Sequence, residues 1–114
     1  MLDVVCLGEL LIDFVATKKG VSLAESPGFR KKPGGAPANV AVGLAKLGLR
    51  SGFVGKVGDD AFGDFLRETL VAQGVDVSHL ACTRAARTTL AFVSRRPDGS
   101  PDFVFYRHPG ADML

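Results

Sequence analysis

The alternation of apolar runs with helical segments constrains the fold of this chain most strongly. A continuous apolar run at 4–7 predicts a strand that is covered on both faces. A helix is predicted at 37–47, because proline stands at its start and glycine follows its end. A strand at 51–58, a helix after Asp60 and a strand at 75–82 complete the series. Strands that alternate with helices predict a right-handed, doubly wound parallel α/β sheet.

The second helix has both a cap and an apolar stripe in its sequence. Asp60 stands at the position of a helix N-cap, which explains the residue, and a ligand contact is the alternative. The apolar side chains that follow recur at helical spacing and predict the buried face, namely Phe62, Phe65, Leu66 and Leu70.

The last third of the chain has a different pattern. Two strand-like runs, 88–96 and 102–107, flank the turn sequence "PDGSP", which predicts an antiparallel hairpin. A short strand at 29–32 would join the hairpin in a small sheet beside the main one. A further strand is predicted at 10–15, with Asp13 embedded in it.

Composition excludes several classes of function. The chain has 114 residues, and a net charge of +2 is too small to indicate nucleic acid or a membrane surface as partner. No signal peptide or membrane span is visible. Cys6 and Cys82 fit neither a metal-ligand spacing nor a redox pair, and Cys6 reads as a buried, reduced thiol. These features predict a cytoplasmic protein without a metal site of its own.

The glycine pair before the first helix fits neither common phosphate-binding motif. A P-loop needs Ser or Thr after its lysine, whereas Lys46 is followed by Leu47. A dinucleotide fingerprint needs the spacing G-x-G-x-x-G, whereas Gly34 and Gly35 are adjacent. Both interpretations are therefore excluded.

The same glycines favour a different ligand. They leave bare backbone where the helix begins, so a ligand can approach closely and the first N–H groups have no side-chain cap. Asn39 lies on the first turn, where its amide can both donate to and accept from hydroxyl groups. This combination favours a neutral polyol. The alternative is that the glycines only permit tight packing and that Asn39 is a solvated surface residue.

Asp13 supports the ligand interpretation. A carboxylate in an apolar strand is costly unless it is paired or faces a ligand. Arg and Lys are absent from its neighbourhood in the sequence, although a partner distant in sequence remains an alternative. A carboxylate that accepts hydrogen bonds from two sugar hydroxyls would explain its position.

Together these segments resemble the ribokinase-like (PfkB) carbohydrate kinase family. The resemblance rests on "PGGAPANVAVGLAKLG" followed by "FVGKVGDDAFGDFLRETL", and it extends over all 114 residues. The opening "CLGELLIDF" and the terminal "FYRHPGADML" are most similar to the fructokinase branch. The resemblance implies a three-layer α/β/α parallel sheet, of which 1–114 is the N-terminal part. It also implies a small β lid, with its segments at about 17–32 and 88–107.

The resemblance implies roles for the residues already singled out. Asp13 and Asn39 would bind sugar hydroxyls, and the Gly34–Gly35 pair would lie against the sugar. Phe105 and Arg107 are weaker assignments, although their period-2 spacing puts both on one face of a strand. Hairpin packing with a solvated arginine is the alternative for that pair.

The chain lacks other parts of the family pattern. The second signature, G-A-G-D, supplies the general base and the helix N-terminus that holds the migrating phosphoryl group. The string "HPGAD" at 108–112 lacks the second glycine, so Asp112 is not that base. The segments that bind the MgATP implied by the family are missing too. We therefore expect no catalytic residue in this chain and no phosphoryl transfer by it alone.

The favoured function is the sugar-binding part of a fructokinase, which phosphorylates D-fructose to fructose 6-phosphate with ATP. The alternatives are another PfkB kinase acting on ribose, 2-keto-3-deoxygluconate or a nucleoside, or a non-catalytic sugar-binding or regulatory module. The resemblance also implies a homodimer formed through the lid. An unpaired edge on the main sheet predicts poor solubility for the isolated chain.

Overall fold

The computed structural model describes all 114 residues. Seven strands, two α-helices and one short 3₁₀ helix make up the chain. In chain order they are β1 Val4–Leu7, β2 Leu11–Ala16, β3 Phe29–Gly34, α1 Ala36–Lys46, β4 Ser51–Gly58, α2 Ala61–Ala72, β5 Leu80–Thr83, β6 Leu90–Arg95, β7 Pro101–Tyr106 and the 3₁₀ helix Ala111–Met113.

The first sheet is parallel, as the sequence predicts, but it is not doubly wound within these 114 residues, because α1 and α2 pack on the same core. Its strand order is β1-β4-β5, and both strand pairs are parallel. Helix α1 connects β1 to β4 by way of the second sheet, and α2 connects β4 to β5. Because parallel crossovers are right-handed and the strand order runs in one direction, both helices cover the same face.

The covered face of the first sheet holds the main core. Phe53 of β4 is fully buried and packs with the small residues Ala38 and Ala41 of α1. From α2, Leu66 and Leu70 complete the predicted stripe, with Phe62 and Phe65 partly buried beside them. The opposite face of β1 is open, since the side chain of Leu7 is 72% exposed.

The second sheet contains four strands in the order β3-β2-β6-β7. Strands β6 and β7 form the antiparallel hairpin predicted around the Pro-Asp-Gly turn. Strand β3 confirms the short strand predicted at 29–32 and runs on to Gly34. It reaches the hairpin through β2, which pairs antiparallel with β3 and parallel with β6.

Strand β2 extends the second sheet beyond the segments predicted for it at about 17–32 and 88–107. Its apolar pattern does not reveal this, because Ile12 is fully buried in the same core as Phe53. The other face of β2 carries Asp13, which is only half-buried. One face of β2 therefore packs in the main core, and its other face forms part of the surface of the second sheet.

Three smaller predictions need correction. The strand predicted at 75–82 is shorter, because β5 begins only at Leu80; before it, Asp76 forms an isolated parallel bridge with Gly52 between the buried Val75 and Val77. The thiol of Cys6 is half-buried rather than fully buried: it packs against the main core, but β1 is the edge strand of the first sheet. Helix α1 begins at Ala36, one residue before the predicted proline. Neither α-helix is long and apolar enough to cross a membrane.

Candidate functional site

Gly34 makes space for the carboxylate of Asp13. The two residues lie on adjacent strands, β3 and β2, two positions apart in the pairing register. A Cβ at Gly34 would lie 2.8 Å from Cγ of Asp13 and would overlap its Oδ2. A side chain at this position would therefore displace the carboxylate, so the first glycine of the pair is required by a close approach.

A glycine is required at position 35 for a different structural reason. Its φ of +104° lies in the region that favours glycine. A Cβ there would overlap the carbonyl oxygen of Glu9 and lie 3.0 Å from its carbonyl carbon. Gly35 is also the N-cap of α1 and makes no side-chain cap, as the sequence predicts. The diglycine thus brings the start of α1 directly against the start of β2.

Asp13 lies in a row of side chains that crosses the second sheet. Its register neighbours are Lys32 on β3 and Ala91 on β6, and Ala91 pairs in turn with Phe105 on β7. Paired residues point to the same face, so Asp13 and Phe105 share one surface, with the small Ala91 between them. The structure therefore brings these two predicted residues to one face of the second sheet.

The charge of Asp13 is not compensated by a direct partner. Burial raises the pKa of its carboxyl, the nearby charge of Glu9 raises it further, and Lys32 partly offsets both effects. The carboxylate accepts no hydrogen bond and forms no ion pair within the chain. Its oxygens are therefore available to external donors such as hydroxyl groups.

Asn39 lies on α1, one turn from the diglycine. Its backbone N–H donates to the carbonyl of Gly35 at 3.0 Å. Its side chain is exposed, and it makes no hydrogen bond to the chain. The position agrees with the predicted first turn, and the amide is free to contact a ligand.

Phe105 lies in β7, and Arg107 follows the last residue of that strand, so the predicted shared strand face covers only Phe105. The Phe105 ring is 47% exposed, and the guanidinium of Arg107 lies 5.2 Å from its centre. The alternative of a solvated arginine is wrong, because Arg107 Nη2 forms ion pairs with Glu9 at 3.0 Å and Asp112 at 2.9 Å. The side chain of Arg107 is 27% exposed.

Glu9 and Asp112 are the partners of Arg107, which the sequence does not reveal. The side chain of Asp112 is 1% exposed, and it accepts a hydrogen bond from the hydroxyl of Thr89 in addition to its ion pair. Glu9 lies 98 positions from Arg107 in the chain. No local pattern predicts a pairing over that separation. The only available signal was the presence of acidic residues beside the predicted segments.

Asp60 has the capping role that the sequence predicts. Its Oδ1 accepts the N–H of Gly63 at 2.8 Å, and its Oδ2 accepts the N–H of Thr88 at 2.9 Å. Burial would raise the pKa of Asp60, but the hydrogen bonds from Thr88 and Gly63 outweigh it and hold that pKa below its ordinary value. The neighbouring Asp59 forms an exposed ion pair with Arg84 at 2.9 Å.

The 114 residues do not supply a protein-only site for the metal of MgATP. No group of three or more His, Cys, Asp or Glu side chains is placed to hold a metal ion. The acidic residues near the diglycine are instead paired with Arg107 or face an open surface.

Solved structures with the same fold include two sugar kinases. The chain matches a fructokinase from Xylella fastidiosa with a TM-score of 0.86 and 44% identity over 97% of this chain and 34% of that one. It matches an uncharacterized sugar kinase from Pyrococcus horikoshii, solved in complex with ATP, with a TM-score of 0.89 and 39% identity. That match covers 96% of this chain and 35% of the Pyrococcus chain. These matches confirm the ribokinase-like fold.

Sequence relatives agree with the structural matches. The chain is 60% identical over 111 residues to probable fructokinase-7 of Arabidopsis thaliana, a match that covers 97% of this chain and 32% of that protein. The chain thus spans about a third of the length of its relatives. The pattern of the family described as "pfkB family carbohydrate kinase" matches residues 1–114. This chain therefore belongs to the pfkB family of carbohydrate kinases.

Proposed function

We propose that this chain is the sugar-binding part of a fructokinase, an enzyme that phosphorylates D-fructose to fructose 6-phosphate with ATP. The proposal is supported by the fructokinase relatives and by the site at the diglycine. The chain alone is inactive in this proposal, because the base and the segments that bind ATP lie outside these residues.

One observation carries the proposal: the unpaired carboxylate of Asp13 lies against the bare backbone of Gly34. Two adjacent hydroxyl groups of a sugar can donate to the two oxygens of one carboxylate. The missing side chain at Gly34 leaves room for this carboxylate, and the half-buried Gly35 presents bare backbone beside it. The amide of Asn39, which is exposed one turn into α1, supplies a further donor and acceptor.

The second sheet acts as a lid in this proposal. Phe105 shares a face with Asp13 and offers an apolar ring to the carbon face of the sugar. Arg107 contacts that ring and borders the same surface. In this proposal the two residues border the sugar site on the second sheet, and they exclude water from it when the sugar is bound.

The lid is also proposed to form a homodimer. Phe103 and Phe105 lie on one face of β7, with ring centres 6.2 Å apart and ring planes at 15°. These rings are 54% and 47% exposed. Neighbouring exposed aromatic side chains on a sheet face are typical of a protein interface. We place the enzyme in the cytoplasm, where its substrates and reduced cysteines are expected.

A chimera tests the proposed function. In it, this chain replaces the aligned third of the Xylella fastidiosa fructokinase, and the parent enzyme serves as the positive control. ATP-dependent phosphorylation is then measured with fructose, ribose, 2-keto-3-deoxygluconate and adenosine. We expect fructose to give the highest kcat/KM. A folded chimera that phosphorylates none of the four compounds would contradict the proposal and favour a non-catalytic module.

A further inference from the structure

A cleft opens at the end of the second sheet where the parallel strands β2 and β6 finish. Val15 of β2 and Val93 of β6, which pair in register, contribute its apolar floor. The loop that follows β2 and the turn that joins β6 to β7 form its walls. The cleft has a volume of about 830 Å³. Neither the proposed sugar-binding residues nor Phe103 of the proposed dimer surface lines it.

The lining of the cleft is strongly basic. Four of its eleven residues are cationic and none is acidic. The loop contributes Lys18 and Lys19, and the other wall contributes Arg95 and Arg96. Of these four side chains only Arg96 forms an ion pair, with Asp102 at 3.2 Å. Three positive charges of the cleft therefore have no carboxylate partner within the chain.

Hydrogen bonds hold the two walls of the cleft together. The backbone N–H of Gly20 donates to the carbonyl of Arg95 at 3.1 Å, which joins the loop to the end of β6. Nη1 of Arg95 donates to the carbonyl of Gly99 at 3.0 Å, which fixes the guanidinium against the turn. A carbonyl oxygen orients this guanidinium but does not neutralise its charge. Cations from two separate segments are thus held at one cleft.

The acidic residues of this region do not line the cleft. Asp102 is occupied by Arg96 and by the backbone N–H of Leu23, which lies 3.0 Å from its Oδ2. Glu25 and Asp98 accept hydrogen bonds from serines of their own turns. Neither of these two carboxylates forms an ion pair. The cleft therefore keeps an excess of positive charge.

Lys19 and Arg95 are the cations that remain most available to an external anion. Hydrogen bonds from Ser22 lower the pKa of Glu25, and the nearby charge of Lys18 lowers it further. Lys18 therefore acts partly on a carboxylate of the chain. Lys19 makes no hydrogen bond or ion pair, and Arg95 bonds only to a neutral carbonyl through its side chain.

Cations around an apolar floor suit a ligand that carries both an anionic and an apolar part. A phosphate monoester has a charge of roughly −1.5 to −2 at pH 7 and three oxygens that accept hydrogen bonds. Arginine and lysine bind such oxygens through charge-assisted hydrogen bonds. The volume of the cleft lies within the range of about 300–1,000 Å³ that is typical of small-molecule sites. These properties favour a small phosphate ester over a macromolecule.

We propose that this cleft is a second ligand site, which binds a small phosphate monoester. Lys19 and Arg95 bind the phosphate, and Val15 and Val93 contact the organic group. The site goes beyond the proposed function and does not depend on it, because it shares no residue with the sugar site.

The test measures binding of phenyl phosphate, which is neither a sugar nor a nucleotide. Isothermal titration calorimetry is performed with the chimera described above and with the 114-residue chain. The double variant Lys19→Gln, Arg95→Gln removes two charges from the cleft. Lys46→Gln with Arg67→Gln is the matched control, because both side chains are exposed on the α-helices and the net charge changes equally.

We expect phenyl phosphate to bind the unmodified protein and the control variant equally. The double variant should bind it at least about tenfold more weakly, because charge-assisted hydrogen bonds to the phosphate are lost. Added salt should weaken binding to the unmodified protein, since it screens these charges. Equal affinities of the unmodified protein and the double variant, or no binding by the folded unmodified protein, would overturn the proposal.

Further ligands define what the cleft recognises. Inorganic phosphate should bind more weakly than phenyl phosphate, because it makes no contact with the valines of the floor. Equal affinities would indicate an adventitious ion site and overturn the assignment to an ester. Fructose 6-phosphate and AMP distinguish a sugar ester from a nucleotide, since the natural class of ester should lose affinity in the double variant. If neither loses affinity, the proposal is overturned for both classes.

The binding measurement also separates this proposal from the proposed function. A folded chimera that binds phenyl phosphate through Lys19 and Arg95 but phosphorylates no sugar would support the second site and contradict the fructokinase assignment. An active chimera whose affinity for phenyl phosphate is unaffected by the double variant would overturn the second site and leave the fructokinase assignment intact.

Discussion

The carboxylate of Asp13 lies so close to Gly34 that a Cβ on this glycine would stand 2.8 Å from Asp13 Cγ. This relationship explains the first residue of the diglycine through a side chain that lies 21 positions earlier in the chain. It also makes the position of the carboxylate sensitive to a single methyl group.

Gly34→Ala should weaken sugar binding without unfolding the protein. The added methyl group displaces the Asp13 carboxylate, and we expect KM for fructose in the chimera to rise by about 10- to 100-fold. Gly43→Ala in α1 is the matched control, because a Cβ there meets no atom within 4 Å. An unchanged KM in Gly34→Ala would remove the assigned role of this contact.

Gly35→Ala should destabilise the fold rather than alter the substrate preference. It adds a Cβ at a φ of +104° that also overlaps the carbonyl oxygen of Glu9, so we expect a loss of ~3 kcal/mol in the free energy of unfolding. Gly48→Ala separates the two causes. Gly48 has a φ of +89° with open space around it, and its substitution should cost only about 1 kcal/mol. Chemical denaturation measures both losses, and equal losses would show that the contact with Glu9 is unimportant.

Asp13→Asn should stabilise the protein while it impairs sugar binding. Burial and then Glu9 raise the pKa of Asp13 in the folded state above its ordinary value of 3.8. Ionised Asp13 therefore costs stability above the folded pKa, and this cost disappears below the unfolded pKa. We expect a higher Tm for Asp13→Asn at pH 7 and no difference below pH 3.8.

Asp98→Asn is the matched control for that measurement. Hydrogen bonds from Ser100 lower the pKa of Asp98, so its ionised form stabilises the fold. Its substitution should lower the Tm at pH 7, opposite in sign to Asp13→Asn. If Asp13→Asn also lowers the Tm, the ionised carboxylate stabilises the fold, which would contradict its assignment as an unpaired group.

Asp60 should contribute to the loss of stability in acid. Although burial opposes the effect, hydrogen bonds from Thr88 and Gly63 hold its folded pKa below 3.8. The contribution is present above the unfolded pKa and is lost as the pH falls through the lower folded pKa. At pH 7, Asp60→Ala should cost about 1–2 kcal/mol through loss of the helix cap. Asp64 lies on the exposed face of the same first turn, so Asp64→Ala should lower the free energy of unfolding much less. Urea titration at pH 7 measures both losses.

The uncovered face of the first sheet should make the 114-residue chain self-associate. Leu7 is 72% exposed and Val5 55% exposed on the same face of β1. Contiguous apolar side chains on a sheet surface favour association. We expect Leu7→Lys to shift the isolated chain toward the monomer in analytical ultracentrifugation. Leu47→Lys is the control, because Leu47 is 80% exposed but lies beyond the end of α1. Equal effects of the two substitutions would argue against the sheet face as the cause.

Local patterns were sufficient for most of the fold. The helix boundaries follow from Pro37 and Gly48 and from the cap at Asp60, because these residues act on their own backbone neighbourhood. The hairpin follows from the turn that joins β6 to β7. Local patterns do not predict the sheet to which β2 belongs. Strands of both sheets bury one apolar face in the same core, so the apolar pattern of β2 fits either sheet.

For the candidate site too, some features could be predicted from the sequence and others only from the tertiary structure. The sequence by itself determined that Asp13 is a carboxylate in an apolar strand and that a bare diglycine precedes α1, since residue type and spacing express both features. Only the tertiary structure decided that Gly34 lies against Asp13 and that Arg107 pairs with Glu9 and Asp112. The physical reason is that the Gly34 contact and the Arg107–Glu9 pair join distant segments of the chain, and that side-chain pairing depends on strand register. Register and packing are properties of the assembled sheets.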